Sequence, residues 1–405
     1  MSAALFDLAL RVRAREVGVP VPRLLHTSVP TRSARVAVWA RQRGKGCRVW
    51  AVGADGAVHS GSGSDGLAAL ARAAGCVSGD LGEGATALID RPGTLRVLDA
   101  LAVEHADPTR CRDVAVAAGS SLAGWWVERS AHPGSGAVVD LLAVTRQQMM
   151  LGTVPGSDDA DAWRAALGVP HGIAGLHAWW RAVSVLPTLP GLEPTGEGDD
   201  WLLGVHQDAL SKRASWNVPE SLYVAAMRLQ SRCDAADIHA AALLDDPLWR
   251  LRGVHTGHVC HGDVVVGAHD DQGRVVVRSQ RLDTRLKAGV AVVGWPGDPL
   301  HQKPEPADRF AGEVVSTAVT EHCELEVTIG GLRRTGYKPG AGEILTVVAA
   351  PPNPSTIRSH KRVKARLYKR RFSWLSQGVR PVPTRRDVPL AVLIAAAEPD
   401  TEGQQ

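Results

Sequence analysis

The spacing of apolar and polar positions changes character along the chain. In "MSAALFDLALRVRAREVG" it places Leu5, Leu8 and Val12 on one side of a helix capped by Ser2. After a Pro-rich connection, "RVAVWA", "CRVWAVGAD" and "GAVHSG" read as short strands, with Asp55-Gly56 as a hairpin dipeptide. "SDGLAALARAAG" (64–75) has helical spacing, with Ser64 or Asp65 at its N-cap and Gly75 just past its end. "ATALID" predicts a strand, "RPGTLRVLDALAVEH" a helix opened by Pro92, and "DVAVAAG" another strand.

The next stretch repeats part of this plan. "LAGWWVERSAHPGSGAVVDLLAVTRQQMMLGTV" predicts strand, loop, strand, turn, strand. "SDDADAWRAALG" (157–168) then echoes 64–75 at an offset of 93 residues, with five of twelve positions identical. Residues 1–170 are therefore expected to form a mixed α/β domain, read either as two related β-β-β-α units or as two ordinary α/β units.

Residues 171–252 are expected to be a helical connector. "IAGLHAWWRAVSVL" predicts a helix, "PTLPGLEPTGEGDD" a linker and the best internal boundary, and "VPESLYVAAMRLQSR" and "DAADIHAAALLDD" two further helices. The last ends in two Asp, which suits packing better than a helix-turn-helix facing phosphates.

From Gly262 the period becomes two. "DVVVGAH" and "RVVVRS" form a hairpin, "LKAGVAVVGW" a strand, and "FAGEVVSTAV" and "HCELEVTIGG" a second pair. In the last, Cys323, Leu325, Val327 and Ile329 are expected to face one way and His322, Glu324 and Glu326 the other. "EILTVVAA" and "VPLAVLIAAA" add two more strands. Residues 253–405 are thus expected to be an antiparallel β-barrel or sandwich, and the whole chain α+β.

Composition narrows the class. Of 405 residues, 44% are apolar and 22% charged, as in an ordered globular protein. The longest apolar run, "PLAVLIAAA", falls short of the ~20 residues that cross a bilayer. The first helix carries Asp7 and no basic leader. The cytoplasm is therefore the expected compartment, with no membrane partner. Six scattered cysteines without a CxxC pair suit reduced thiols.

Charge is distributed unevenly. Eleven Lys or Arg and no acid lie between Ile344 and Arg386, whereas residues 1–343 hold 35 basic and 38 acidic side chains. The positive excess resides in one segment, and local charge of this kind speaks of partners.

Four stretches could carry chemistry. His255, His258, Cys260, His261 and His269 crowd into "GVHTGHVCHGDVVVGAH", but the glycines and the following β-branched run predict a loop entering a strand, without paired ligands. No metal or cofactor is expected. "HQKPEPAD" (301–308) resembles the His-x-Lys-x4-Asp pattern of phospholipase D-like phosphodiesterases, but Pro304 and Pro306 would break the strand that motif runs along. Asp55, Asp90 and Asp140 each sit near the end of a predicted strand. A hairpin followed by α/β units loosely resembles an RNase H-type nuclease, and that resemblance implies clustered carboxylates holding two metal ions. The first strand carries Trp39 where such folds place their leading Asp.

The fourth stretch is "STIRSHKRVKARLYKRRFSWLSQGVRPVPTRR" (355–386). Arg358, Arg362, Lys364, Arg366, Lys369, Arg370 and Arg371 are expected to contact phosphates, with Tyr368, Phe372 and Trp374 as stacking platforms and Arg333 and Arg334 extending the surface. Strand and helix are both open for 359–377. The competing reading of the strip is a solvated face, or one paired with acids such as Glu324 and Glu326. The function expected is an accessory protein binding DNA or RNA, without an assigned catalytic residue, in a replication, mobile-element or defence assembly. The alternatives are a metal-dependent phosphodiesterase or nuclease, and a protein-interaction subunit whose basic strip docks an acidic protein partner.

Overall fold

The computed structural model describes residues 3–44, 46–268, 273–353 and 357. Residues 1–218 and 231–357 form one compact unit. Residues 219–230 belong to a second, within which Arg228 pairs with Glu220.

The chain runs through α1 (Ala3–Val17), β1 (Val21–Pro22), β2 (Arg35–Arg43), β3 (Gly46–Val52), β4 (Val58–Ser62) and α2 (Ser64–Ala74). It continues through β5 (Thr86–Ile89), α3 (Gly93–Glu104), α4 (Val114–Arg129), β6 (Val138–Asp140), α5 (Leu141–Gln148), β7 (Met149–Met150), α6 (Ala160–Leu167) and α7 (Gly175–Val183). β2, β3 and β4 form an antiparallel meander, β5 lies parallel to β2, and β6 lies parallel to β5. The sheet order is β4-β3-β2-β5-β6.

Alternation splits this sheet between two cores. Val36, Val38, Val49, Ala51, Ala87 and Ile89 pack with residues of α2, α3 and α4. Ala37, Val52, Leu88 and Val139 point the other way and pack with Trp163, Trp179 and Trp180 of α6 and α7. The second core therefore extends past residue 170 as far as Val183.

α8 (Glu193–Ser211), α9 (Leu222–Leu243) and α10 (Pro247–Thr256) come next. Six strands then close into an antiparallel barrel: β8 (Val259–Val266), β9 (Val275–Ser279), β10 (Ala291–Pro296), β11 (Phe310–Val319), β12 (Leu325–Gly330) and β13 (Ile344–Ala349). The ring order is β10-β11-β12-β9-β8-β13, and closure leaves no open sheet edge. Val264, Val275, Val277, Phe310, Val327, Ile329, Leu345 and Val347 fill its interior. The α+β class and the C-terminal barrel agree with the sequence pattern. "VPLAVLIAAA" lies outside the described residues.

Several elements differ from their sequence expectation. "DVAVAAG" and "LAGWWVER" are the two halves of α4, which Asp113 caps through the Ala115 N–H at 2.9 Å. Nearly every residue of α4 is buried, so no polar face marks its period, and a fully apolar run does not distinguish strand from helix. With α5 also helical, 122–154 does not repeat the β-β-β plan of 35–62, and the duplicated-unit reading loses its basis. The Pro/Gly-rich "linker" supplies the first turns of α8, where Asp199 is buried against Arg129, Ser135 and Gly136. The two helices expected over 218–246 form one, α9.

Gly253 lies inside α10, where a side chain would strike Val259. That helix is fixed by buried Asp246, which accepts from the Leu248 and Trp249 N–H groups, and by Pro247 in its first turn. Leu5, Leu8 and Val12 of α1 are exposed, and Ala14 is buried. Cys323 is exposed in a left-handed turn (φ 57°), not aligned with buried Leu325.

Candidate nucleic-acid interface

Arg333 and Arg334 are exposed on the loop between β12 and β13, where Lys338 donates to the Arg333 carbonyl. β13 leads from that loop to Ala349 at the far end of the barrel, a span of roughly 20 Å at the usual strand rise. Arg358, Arg362, Lys364, Arg366, Tyr368, Lys369, Arg370, Arg371, Phe372 and Trp374 lie outside the described residues. The acids considered as partners for that strip are already engaged. Arg278 on β9 reaches Glu324 at 3.4 Å and Glu326 at 2.7 Å.

The three strand-end carboxylates do not meet. Asp55 is exposed in the β3–β4 turn, where it accepts from the Ala57 N–H at 3.0 Å. β3 runs antiparallel to β2, so Asp55 lies at the end of the sheet opposite Asp90. Asp90 follows β5, is fully buried, and accepts from Arg164 Nη2 at 2.9 Å and from Arg91 Nε at 3.2 Å. Asp140 ends β6 next to Ile89 and caps α5 through the Ala143 N–H at 3.1 Å. Burial raises the Asp140 carboxyl above its ordinary value, against the lowering effect of the helix N–H groups, and the charge of Asp90 raises it further. Extending the β2–β5 register by two residues puts Trp39 beside Asp90. One carboxylate is thus salt-bridged, one caps a helix, and an indole fills the third place.

The histidines are dispersed. His255 ends α10 with its ring 5.1 Å from Phe6. His258 bonds Thr256 at 2.8 Å. Its imidazole is held below the ordinary value, mainly by burial and secondly by Arg285 and Arg252. Cys260 points into the barrel core and burial pushes its thiol up to about 12. On the next residue the chain turns outward, and His261 Nδ1 lies 3.0 Å from the Leu345 carbonyl. His255 and His261 both line an open cleft of about 770 Å³ between α10 and the barrel. Among the described residues no three His, Cys, Asp or Glu come together as a metal would require. His269 lies outside the described residues. In "HQKPEPAD", His301 is exposed and its backbone carbonyl accepts from buried Arg250, and Lys303 pairs with Asp245.

A second cationic surface stands out on the N-terminal sheet. Trp39 is opposite Trp50 and Trp50 opposite Ser60; two residues on, Arg41 is opposite Arg48 and Arg48 opposite Ser62. Each indole carries a guanidinium, Arg41 at 5.2 Å from the Trp39 ring and Arg48 at 5.1 Å from the Trp50 ring. A signal was present in the sequence: Val17–Ala54 contains seven Lys or Arg and no acid. Arg41 and Arg43 come from β2 and Arg48 from β3, so the register is what brings them onto one face. Among the described residues no helix is long and apolar enough to cross a membrane. No family model matches this chain, and neither does any curated protein or solved structure.

Proposed function

We propose that this chain binds nucleic acid through the phosphate backbone, using the basic, aromatic-interleaved segment that follows the barrel. The observation that carries the reading is the run of eleven cations without an acid between Ile344 and Arg386. What supports it in the described residues is that Glu324 and Glu326, the acids considered above as partners for the strip, are held by Arg278. Arg and Lys that neutralise phosphates release counterions, and Tyr368, Phe372 and Trp374 would offer faces for bases. Asp55 lies at the opposite end of the sheet from Asp90 and Asp140, and Asp90 is held by Arg164, which favours holding the polymer over cutting it. A cytoplasmic place in a replication, mobile-element or defence assembly is part of the same proposal.

The test is binding of labelled single- and double-stranded DNA and RNA across a salt series, with wild type and a variant carrying Lys364→Ser, Arg366→Ser, Lys369→Ser, Arg370→Ser and Arg371→Ser. If all five neutralise phosphates, the log–log salt slope for duplex falls by about 4–5 in the variant. Absence of wild-type binding at low salt would end the reading and leave the strip as a protein-docking face.

A further inference from the structure

The open end of the N-terminal sheet has the makings of a ligand surface that the strip does not explain. α2 covers β3 and β4 from one side, where Gly66 lies against Val49. On the opposite side α7 reaches only the start of the sheet, with His177 Nε2 3.0 Å from the Val52 carbonyl. Trp39 is half-buried against the second core; beyond it, among the described residues, Arg41, Arg43, Ser60 and Ser62 are exposed, and Trp50 and Arg48 are half-buried. The edge strand β4 places only Ser60 and Ser62 opposite Trp50 and Arg48, so it adds nothing bulky beside the Trp50 indole.

From the geometry we infer that this face is a stacking site for an extended single strand of nucleic acid, separate from the basic strip although sharing the premise that the ligand is nucleic acid. Charge is the first argument. Arg41, Arg43 and Arg48 make no ion pair among the described residues, and neither β2 nor β3 contains an acid. A polyanion is the complementary partner. Shape is the second. A guanidinium lying on an indole is a flat cationic plate, and side chains of both kinds stack unpaired bases. The indole row and the arginine row are two residues apart, about 6.6–6.8 Å at the usual strand rise. A strand crossing β2, β3 and β4 would lay bases on Trp39 and Trp50 and phosphates toward Arg41, Arg43 and Arg48. Ser60 and Ser62 would supply hydroxyls at the rim. Duplex hides its base faces, so a single strand is the occupant that uses the indoles as well as the charge.

Labelled oligothymidylate, oligouridylate and a duplex of equal length would be titrated against the full chain. The proteins would be wild type, Trp50→Ala, Trp50→Phe and the triple variant Arg41→Ser, Arg43→Ser, Arg48→Ser, each with the strip intact and with its five cations replaced. In the strip-replaced chain, single-strand binding is expected to persist. Trp50→Ala should weaken it fivefold to a hundredfold, roughly the loss of one stacked base, and Trp50→Phe should retain most of it. Removing the three arginines should lower the single-strand salt slope by about 2. Photo-cross-links from a halogenated pyrimidine should map to 39–50, and the two oligonucleotides will show which sugar is preferred. The inference is overturned if the strip-replaced chain binds no single strand, which leaves the strip reading intact. It is overturned equally if duplex weakens as much as single strand, or if Trp50→Phe loses as much as Trp50→Ala. Wild type that binds no nucleic acid at low salt overturns both readings.

Discussion

Asp90→Asn separates a structural carboxylate from a catalytic one. Asp90 is fully buried and its partner Arg164 is nearly so, with Nη2 to Oδ2 at 2.9 Å. Arg164 also lies over the Trp179 ring at 5.2 Å, so it cannot swing into water without dismantling that core. Removing one member of a buried pair leaves the other charge uncompensated, at about 3–5 kcal/mol. Asp161 stands 3.5 Å from Arg164 but is 74% exposed, and offsets little. Asparagine keeps one acceptor oxygen, which puts the expected loss at the lower end, about 3 kcal/mol or roughly a hundredfold in the folding equilibrium.

Urea denaturation reads this as a lower midpoint with an unchanged slope. Adding Arg164→Met should cost less than the sum of the single changes, because the orphaned charge is gone. Asp90→Asn as stable as wild type, or more so, would contradict a structural ion pair, since a carboxylate kept for a metal ion is relieved by neutralisation. Cleavage of labelled DNA or RNA with Mg²⁺ or Mn²⁺ that disappears in Asp90→Asn would contradict it equally and restore the nuclease reading.

Two further outcomes follow from burial. The Asp140 carboxyl is raised above 3.8 in the folded state, so the folded chain holds its proton more tightly than the unfolded one. Stability from this group is fully present below 3.8 and declines as pH rises through the higher folded value. Asp140→Asn, which still caps α5, should lose that decline; equal pH dependence of the two proteins between pH 4 and 7 would contradict the assignment. Cys260 and Cys76, with thiols pushed up to about 12 and about 11, should resist an aromatic disulfide reagent until the chain is denatured, while exposed Cys233 and Cys323 react at once. Native labelling of Cys260 detected by peptide mass spectrometry would mean that the barrel opens.

What could be read in the sequence was whatever local spacing controls. β9 and β12 alternate between core and surface, and turn residues such as Asp55-Gly56 in the meander and Gly75 (φ 74°) after α2 mark where elements end, so these features survive in the residue order. The sandwich-or-barrel choice was settled by β13, which pairs with β8 on one side and β10 on the other. α4 was misread because burial on every side erases its period. α8 was misread because Asp199, an apparent linker acid, draws its stability from Arg129, Ser135 and Gly136, 63 to 70 residues away.

The same division holds for the candidate sites. The run of cations from Arg358 to Arg371 is contiguous and needs no fold to be noticed. The row Trp39–Trp50–Ser60 and the row Arg41–Arg48–Ser62 do, because their members come from three strands and meet only through hydrogen-bond register. The separation of Asp55 from Asp90 is likewise a matter of strand direction: β3 antiparallel and β5 parallel to β2 send similar-looking strand ends to opposite edges. Residue order dictates which segments can pair and which carry charge; long-range pairing alone sets which side chains share a surface.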